Sequence, residues 1–317
     1  LYSLPAYGTI DGTPLMAPFY FIFFGMMLSD TVYGAVLALG AWAFLKYMKP
    51  RGMMENLAKV LLMGGISTIF MGLLFGTCAG VSWPVIFRGT ALENTFPIID
   101  SSADPIAMLA LCAAMGIIQM FYAVFIAAYS CIKHRDWAGA IVDNLSWVFI
   151  ITGLLLMAAP SLGLPAALGI AGKWMAIGFA AVVLLFAGRS KKNVAGRLMS
   201  GAGKLYDVTS WLGDVLSYAR IFALGLSTGV IGLVLNTLCW DMLFASFKGN
   251  PVLMVVGFII VTVLSVALHA FMMAISTLGC FVHSARLQYV EFFGKFYEAG
   301  GKAFKPLRYE TKYVNVK

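Results

Sequence analysis

The chain has 317 residues, 61% of them hydrophobic and 11% charged, with a mean hydropathy of +0.89. A soluble domain carries about 25% charged residues, so a soluble enzyme or nucleic-acid-binding module is excluded and the chain is polytopic in a membrane. Its net charge of +8 falls in the loops between apolar runs, where it speaks for topology rather than for nucleic acid.

A membrane-spanning helix needs about 20 mostly apolar residues. Residues 18–47 exceed that length and Asp30 interrupts them, which predicts either one long tilted helix or a hairpin of two short ones. Further spans are expected at 57–81, 106–132, 140–159 and 166–187. Two much longer apolar runs follow, 205–247 and 252–296, separated by Lys248-Gly249-Asn250-Pro251. A helix of some forty residues would be about 60 Å long against a hydrocarbon core of about 30 Å. The last two helices are therefore expected to be strongly tilted or to leave the membrane. Neither contains an internal proline, so no break is expected in them.

Basic loops at 46–59, 133–135 and 189–204, and the basic tail 302–317, are expected on the cytoplasmic side. The loops at 82–105, 160–165 and 248–251 then lie outside. This alternation works from residue 57 onward. A hairpin at 18–47 gives eight spans with the N-terminus inside; a single helix gives seven.

The five cysteines, Cys78, Cys112, Cys131, Cys239 and Cys280, are scattered through apolar runs without a C-x-x-C pair. They read as small buried hydrophobes. No Walker-type or H-E-x-x-H motif is present, and Gly201-Ala202-Gly203-Lys204 lacks the spacing of a phosphate loop. No cofactor or metal is expected, and no inverted internal repeat of the transporter kind is visible.

The most informative stretch is 211–232, W-L-G-D-V-L-S-Y-A-R-I-F-A-L-G-L-S-T-G-V-I-G, with Arg220 in its middle. An arginine at a helix centre costs roughly +2.5–3.5 kcal/mol on insertion scales. A second one, Arg286, lies near the end of the last run, in F-V-H-S-A-R-L-Q-Y-V-E-F-F. Such residues face protein or water and need a partner there.

These residues carry a resemblance. The run S-Y-A-R-I-F-A-L-G-L-S-T-G-V-I (217–231) resembles the penultimate membrane helix of the large stator subunit of rotary V-type and A-type ATPases, subunit a in eukaryotes and subunit I in prokaryotes. H-S-A-R-L-Q-Y-V-E-F-F-G-K-F-Y (283–297) resembles that subunit's last helix. I-D-G-T-P from Ile10 and F-F-G-M-M-L-S-D-T-V-Y-G (23–34) form a third block, and the three keep the family's order. The wording around Arg220 is similar to the prokaryotic branch.

The resemblance implies an all-α fold of about eight transmembrane helices, the last two lining a rotor. It implies that the chain is the membrane half of a longer protein, divided into an approach segment (1–17) from a cytoplasmic domain, scaffold helices (18–200), two long rotor-facing helices (201–300) and a basic cytoplasmic tail (301–317). It implies multi-pass residence in a bacterial or archaeal cell membrane with both termini cytoplasmic. The partners implied are a proteolipid rotor ring, peripheral stalk subunits, the chain's own N-terminal domain and lipid.

Arginine stays protonated at any working pH, and a nearby cation keeps a carboxylate ionised. Arg220 is therefore read as the fixed cation that makes a passing rotor carboxylate release its ion, against the alternative of an ion pair within the protein. Arg286 is implied as the second of the pair. His283, three residues before it, is a half-channel candidate or a headgroup-level histidine. At about 100° per residue, Gly213, Ser217 and Ser227 share the face of Arg220, with Gly225, Gly229 and Gly232 just beyond. These small residues are expected to face the rotor or to serve ordinary helix packing. Asp207 and Asp214 share another face, where Asp207 lines a half-channel or caps the helix dipole and Asp214 belongs to a polar pathway. Asp30 is read as structural at a hairpin turn, His269 as a satisfied core histidine, and Glu291 as an interfacial acid. A self-contained secondary ion transporter is the competing reading from another class, and a purely structural membrane anchor a third.

Overall fold

The structure is a computed structural model that describes residues 4–6, 8–86, 104–137, 139–158, 160, 165–186, 194–247 and 251–301. The polar stretch 87–103, the basic residues Arg189, Lys191 and Lys192, residues 161–164, the linker 248–250 and the tail 302–317, on which the expected topology partly rests, lie outside the described residues.

The apolar stretch 18–47 resolves into two helices, α1 (Thr13–Leu28) and α2 (Thr31–Met48). Ser29 closes α1 in the left-handed region, at φ 39°, and Asp30 caps α2. Both pack on α3 (Met53–Phe75). Gly25 of α1 lies against Ser67 and Phe24 against Gly64, whereas α2 runs the other way, with Thr31 at Gly72, Gly34 at Ile69 and Ala38 at Gly65. The stretch is thus a hairpin wedged open by α3. At 16 residues α1 is about 24 Å long, shorter than a full hydrocarbon crossing. Seven helical segments among the described residues are long and apolar enough to span a membrane, and α1 is the shorter eighth.

After α3, the strands β2 (Thr77–Cys78) and β3 (Val81–Ser82) form a two-stranded hairpin that leads into the single turn α4 (Trp83–Ile86). Helix α5 (Pro105–Lys133) runs unbroken. The pair α6 (Ser146–Ala158) and α7 (Ala166–Phe186) is closed by facing glycines: a Cβ on Gly153 would stand 2.8 Å from the Gly172 carbonyl oxygen. Lipid tails are as apolar as leucine, so such close backbone approach, rather than a hydrophobic drive, joins helices in a membrane. Helix α8 (Val194–Ser217) is bound to α6 by the Trp147–Trp211 stack at 5.8 Å, and to the π-wound segment Gly139–Leu145 before α6 by the Lys204–Asp143 ion pair.

Helix α9 (Ala219–Asn236) continues α8, and α10 (Pro251–Arg286) follows it. Each long run is one continuous helical stretch, Met199–Phe247 and Pro251–Lys295, with local irregularities inside it. The Tyr218 amide donates to Val215 O, and the Ile221 amide to Tyr218 O, which tightens one turn between α8 and α9. Segments wound as π-helix occupy Thr237–Leu243 and Leu287–Phe292. Proline is not needed for such departures. The Tyr218 ring, fully buried, fills the place of a side chain at Gly116 of α5, and this seat coincides with the tight turn.

Around Tyr218 lies the main core, which includes Phe23, Met26, Met108, Cys112 and Ile221. The five cysteines are free, three of them buried. Strand β1 (Leu4–Pro5) pairs with β4 (Ala299–Gly301) just past α10. The two ends of the described chain therefore meet at one end of the bundle, where Lys133 also donates to Gly8 O at 3.0 Å.

Candidate functional site

Arg220 sits two residues after the tight turn and is partly buried. Its Nη1 is buried and makes no hydrogen bond. Arg286 is the last residue of α10, exposed, and stands directly before a π-wound segment. The two guanidiniums lie in each other's electrostatic field. Among the described residues neither has an ion-pair partner. His283 is partly buried in the field of both arginines, and its Nδ1 has no partner. Ser217 closes α8, its hydroxyl donating to Gly213 O at 3.1 Å.

Behind this row lies a polar network that the sequence reading did not assemble. The Tyr218 hydroxyl donates to Gln119 Oε1 at 2.9 Å, and Gln119 Nε2 donates to Gln288 Oε1 at 2.6 Å. All three side chains are buried, as is Glu291, at 3% exposure. Near the end of the last run, where the sequence suggests an interfacial acid, Glu291 is thus enclosed by the chain's own side chains. Its carboxylate lies in the fields of Arg220 and Asp214 and is acted on by Ser217, while Oε2 has no hydrogen-bond partner. The sequence signal was there: a lone Gln119 in an apolar span, and a Gln and a Glu three residues apart after Arg286.

The two aspartates part company. Asp214 pairs with Lys295 at 2.5 Å, and that lysine also lies 4.2 Å from the Trp211 ring. Its charge is balanced within the chain, which ties the end of the last helix to α8. Asp207 is exposed on α8. The structure thus gathers Asp214, Ser217, Arg220, His283 and Arg286 and leaves Asp207 apart.

For the small residues the reading divides as well. Gly225 and Gly232 do not face outward: Gly225 is buried against the Met26 carbonyl oxygen, where a Cβ would stand at 2.8 Å, and Gly232 against Gly80 Cα, at 2.7 Å. The glycine face of α9 serves the chain's own packing on α1 and on the β2–β3 turn. Ser227 is exposed, and a Cβ on Gly229 would meet open space.

A second polar cluster lies farther along α9 and α10. Asp30, at 2% exposure, accepts from four backbone amides: Val32, Tyr33 and Ala79 on Oδ1 at 3.0, 3.1 and 3.0 Å, and Gly80 on Oδ2 at 2.9 Å. It caps α2 and clamps a turn whose residues Ala79 and Gly80 have positive φ. Asn236 Nδ2 donates to Ala79 O at 2.7 Å, and its Oδ1 lies 3.1 Å from His269 Nε2. The Tyr33 hydroxyl lies 2.5 Å from His269 Nδ1. This order assigns the proton to Nε2 and leaves Nδ1 to accept from Tyr33. Asp30 and His269 are structural, as their sequence setting suggested. No group of three or more metal-ligating side chains occurs among the described residues.

Residues 210–309, which hold both arginines, match the V-type ATPase 116kDa subunit family. The chain is 31% identical to the A-type ATP synthase subunit I of Methanocaldococcus jannaschii, over 99% of its own length and 47% of that protein. It is 34% identical to the A-type ATP synthase subunit I of Pyrococcus horikoshii, over 96% of its length and 44% of that protein. It is 24% identical to the V-type ATP synthase subunit I of Borreliella burgdorferi, over 97% and 51%. The chain spans about half the length of these relatives, and the similarity runs through the helices that carry the polar row. With several apolar spans and this likeness along nearly its whole length, the chain is a multi-pass membrane protein similar to ATP synthase subunit I of archaea and bacteria, and its residues 210–309 match the V-type ATPase 116kDa subunit family.

Proposed function

We propose that this chain forms the ion path of the stator in a rotary ATP synthase. Together with a ring of proteolipids it would build two offset half-channels for H⁺ or Na⁺, with ATP hydrolysis or synthesis on other subunits. Arg220 forces each passing rotor carboxylate to give up its ion, Arg286 is the second cation of the pair, and His283 lines a half-channel beside them. Ser217, Ser227 and Gly229 leave room for the rotor, and Asp207 marks an aqueous approach on α8. The long final helices lie tilted against the ring, and both chain ends are cytoplasmic, in keeping with the β1–β4 pairing that joins them.

One observation carries this reading: two guanidiniums on apolar spans form no ion pair among the described residues. A charge held at bilayer depth without a partner is costly. A carboxylate that travels past on another chain supplies the missing anion and stays ionised beside the cation. The test is Arg220→Gln in the whole complex reconstituted in vesicles. ATP-driven ion uptake should fall to background while subunit content stays normal; uptake at the native level would overturn the reading. Transport by the chain reconstituted without other subunits would favour a secondary transporter instead.

A further inference from the structure

Four of the buried polar atoms without partners are Arg220 Nη1 itself and three close to Arg286 in the chain, His283 Nδ1, Gln288 Nε2 and Glu291 Oε2; Thr277 Oγ1, earlier on α10, is another. Leaving such an atom unsatisfied costs about 1–3 kcal/mol, and more when it is charged. One of the four belongs to a cation and one to an acid, and the two groups lie in each other's field. They are not in direct contact, since no ion pair joins them. Unsatisfied donors and acceptors in the interior are the groups that a buried water takes as its two to four polar partners.

The setting of Glu291 favours a fixed role. It lies in a π-wound segment, the kind of local widening found at functional sites. Its neighbours are well packed: Phe292 and Leu287 beside it are fully buried, and Gln288 is held by Gln119 at 2.6 Å. Gln119 in turn holds Tyr218, which is wedged at the turn preceding Arg220. The chain of contacts Gln288–Gln119–Tyr218 thus ties the segment bearing Glu291 to the turn that sets the direction of Arg220. Asp214, the other acid nearby, is already engaged by Lys295.

We infer that Glu291 is the positioning residue of Arg220: its buried carboxylate faces the guanidinium across a water-filled gap inside the chain and holds it in place between successive encounters with rotor carboxylates. The inference rests on the reading of Arg220 as the ion-releasing cation. Glu291 touches no transported ion in this scheme. It supplies the counter-charge on the protein side, so that Arg220 neither swings toward lipid nor collapses onto the ring.

The experiment uses the whole complex in vesicles, comparing Glu291→Gln, Glu291→Asp, Glu291→Ala and Arg220→Gln for ATP-driven ion uptake per ATP hydrolysed and for subunit content. Displacing a reacting group by about 1 Å can cost up to about 10²-fold, so Glu291→Gln should lower coupled uptake by about 10- to 100-fold in complexes of normal composition. Glu291→Asp, which keeps the charge and lets a water fill the extra length, should recover a large part of it. A purely structural residue would give the opposite order, because Gln conserves shape better than Asp. Native uptake in Glu291→Gln, or an Asp variant no better than Gln, overturns the inference. Should Glu291→Ala fail to assemble, the isosteric Gln variant still decides. If Arg220→Gln is inactive and Glu291→Gln is native, this inference alone fails; if Arg220→Gln pumps normally, the proposed function fails with it.

Discussion

Helices α9 and α10 carry two polar clusters with opposite characters. In the one around Asp30, Asn236 and His269, each charged, amide and imidazole side chain has its partners: four amides on the carboxylate, a carbonyl and an imidazole on the Asn, a hydroxyl on the His. In the other, around Arg220, His283 and Glu291, buried polar atoms stand without partners. The same two helices therefore contain a closed network and an open one. A closed network fixes geometry and needs nothing further. An open one is costly for the isolated chain and becomes favourable only when water or another chain completes it. On the proposed function, the difference separates the residues that build the chain from those that operate it.

The contrast can be broken most directly at its closed end. Asp30→Ala would leave four backbone amides without an acceptor, two of them in buried bonds and two in part-buried ones. At about 1–3 kcal/mol per unsatisfied group, a loss of at least about 3 kcal/mol is expected even after some of them find water. The measurement is thermal unfolding of the detergent-solubilised complex. It should drop by many degrees, and pumping should fall in step with the amount of assembled complex. Arg220→Gln should behave in the reverse manner, with unfolding unchanged or slightly raised and pumping lost in fully assembled complexes. If the two substitutions lower the unfolding temperature equally, the division into closed and open networks is wrong.

Next in size is Gly232→Ala. The added Cβ would press on the Gly80 backbone at 2.7 Å, in a turn already at φ +75°. Overpacking of this kind costs about 1–3 kcal/mol, read in the same unfolding experiment. Tyr33→Phe follows. It removes the 2.5 Å contact to His269 Nδ1 and leaves that nitrogen facing a ring edge. A loss of about 1 kcal/mol is expected, with coupled pumping per assembled complex unaltered.

Much of this was legible in the sequence, and what was not has identifiable causes. The spans follow from hydropathy, and Asp30 marks a break because a carboxylate in an apolar run must find donors. Arg220 and Arg286 stand out because lipid makes them expensive. The tight turn at Tyr218 was hidden, since its wedge is seated on Gly116, about a hundred residues earlier in a different helix. The π-wound segments leave no proline or glycine signature. The enclosure of Glu291 was hidden because distance from the end of an apolar run speaks to depth in a membrane, whereas its burial comes from the chain's own packing, with its segment set against α5. Periodicity correctly grouped Gly225, Gly229 and Gly232 near one another on α9. It could not tell which of them meet the chain's own α1 and β-turn and which look outward, because a helix's pattern describes its face and not the owner of the surface opposite.

That last ambiguity yields the smallest expected effect on stability and a sharp test of which surface is turned to a partner. Gly229 lies one turn from Gly232 and Gly225, yet a Cβ there meets nothing within 4 Å. Substituting Gly229→Leu adds bulk to open space, so within the chain it should shift stability by no more than about 0.5 kcal/mol. Small residues admit close approach of another helix. If a rotor helix passes over this position, the leucine obstructs it, and coupled uptake falls severalfold while the unfolding temperature stays where it was. If lipid lies there, a leucine is as comfortable as an acyl chain and uptake is native. The neighbouring outward position gives the internal control: Ser227→Leu, two residues closer to Arg220 and more exposed than Gly229, should obstruct at least as strongly. Gly232→Leu, by contrast, should damage folding and pumping together. A pattern in which all three act through stability would mean that this stretch of α9 is packing surface throughout, and that the rotor meets the chain elsewhere.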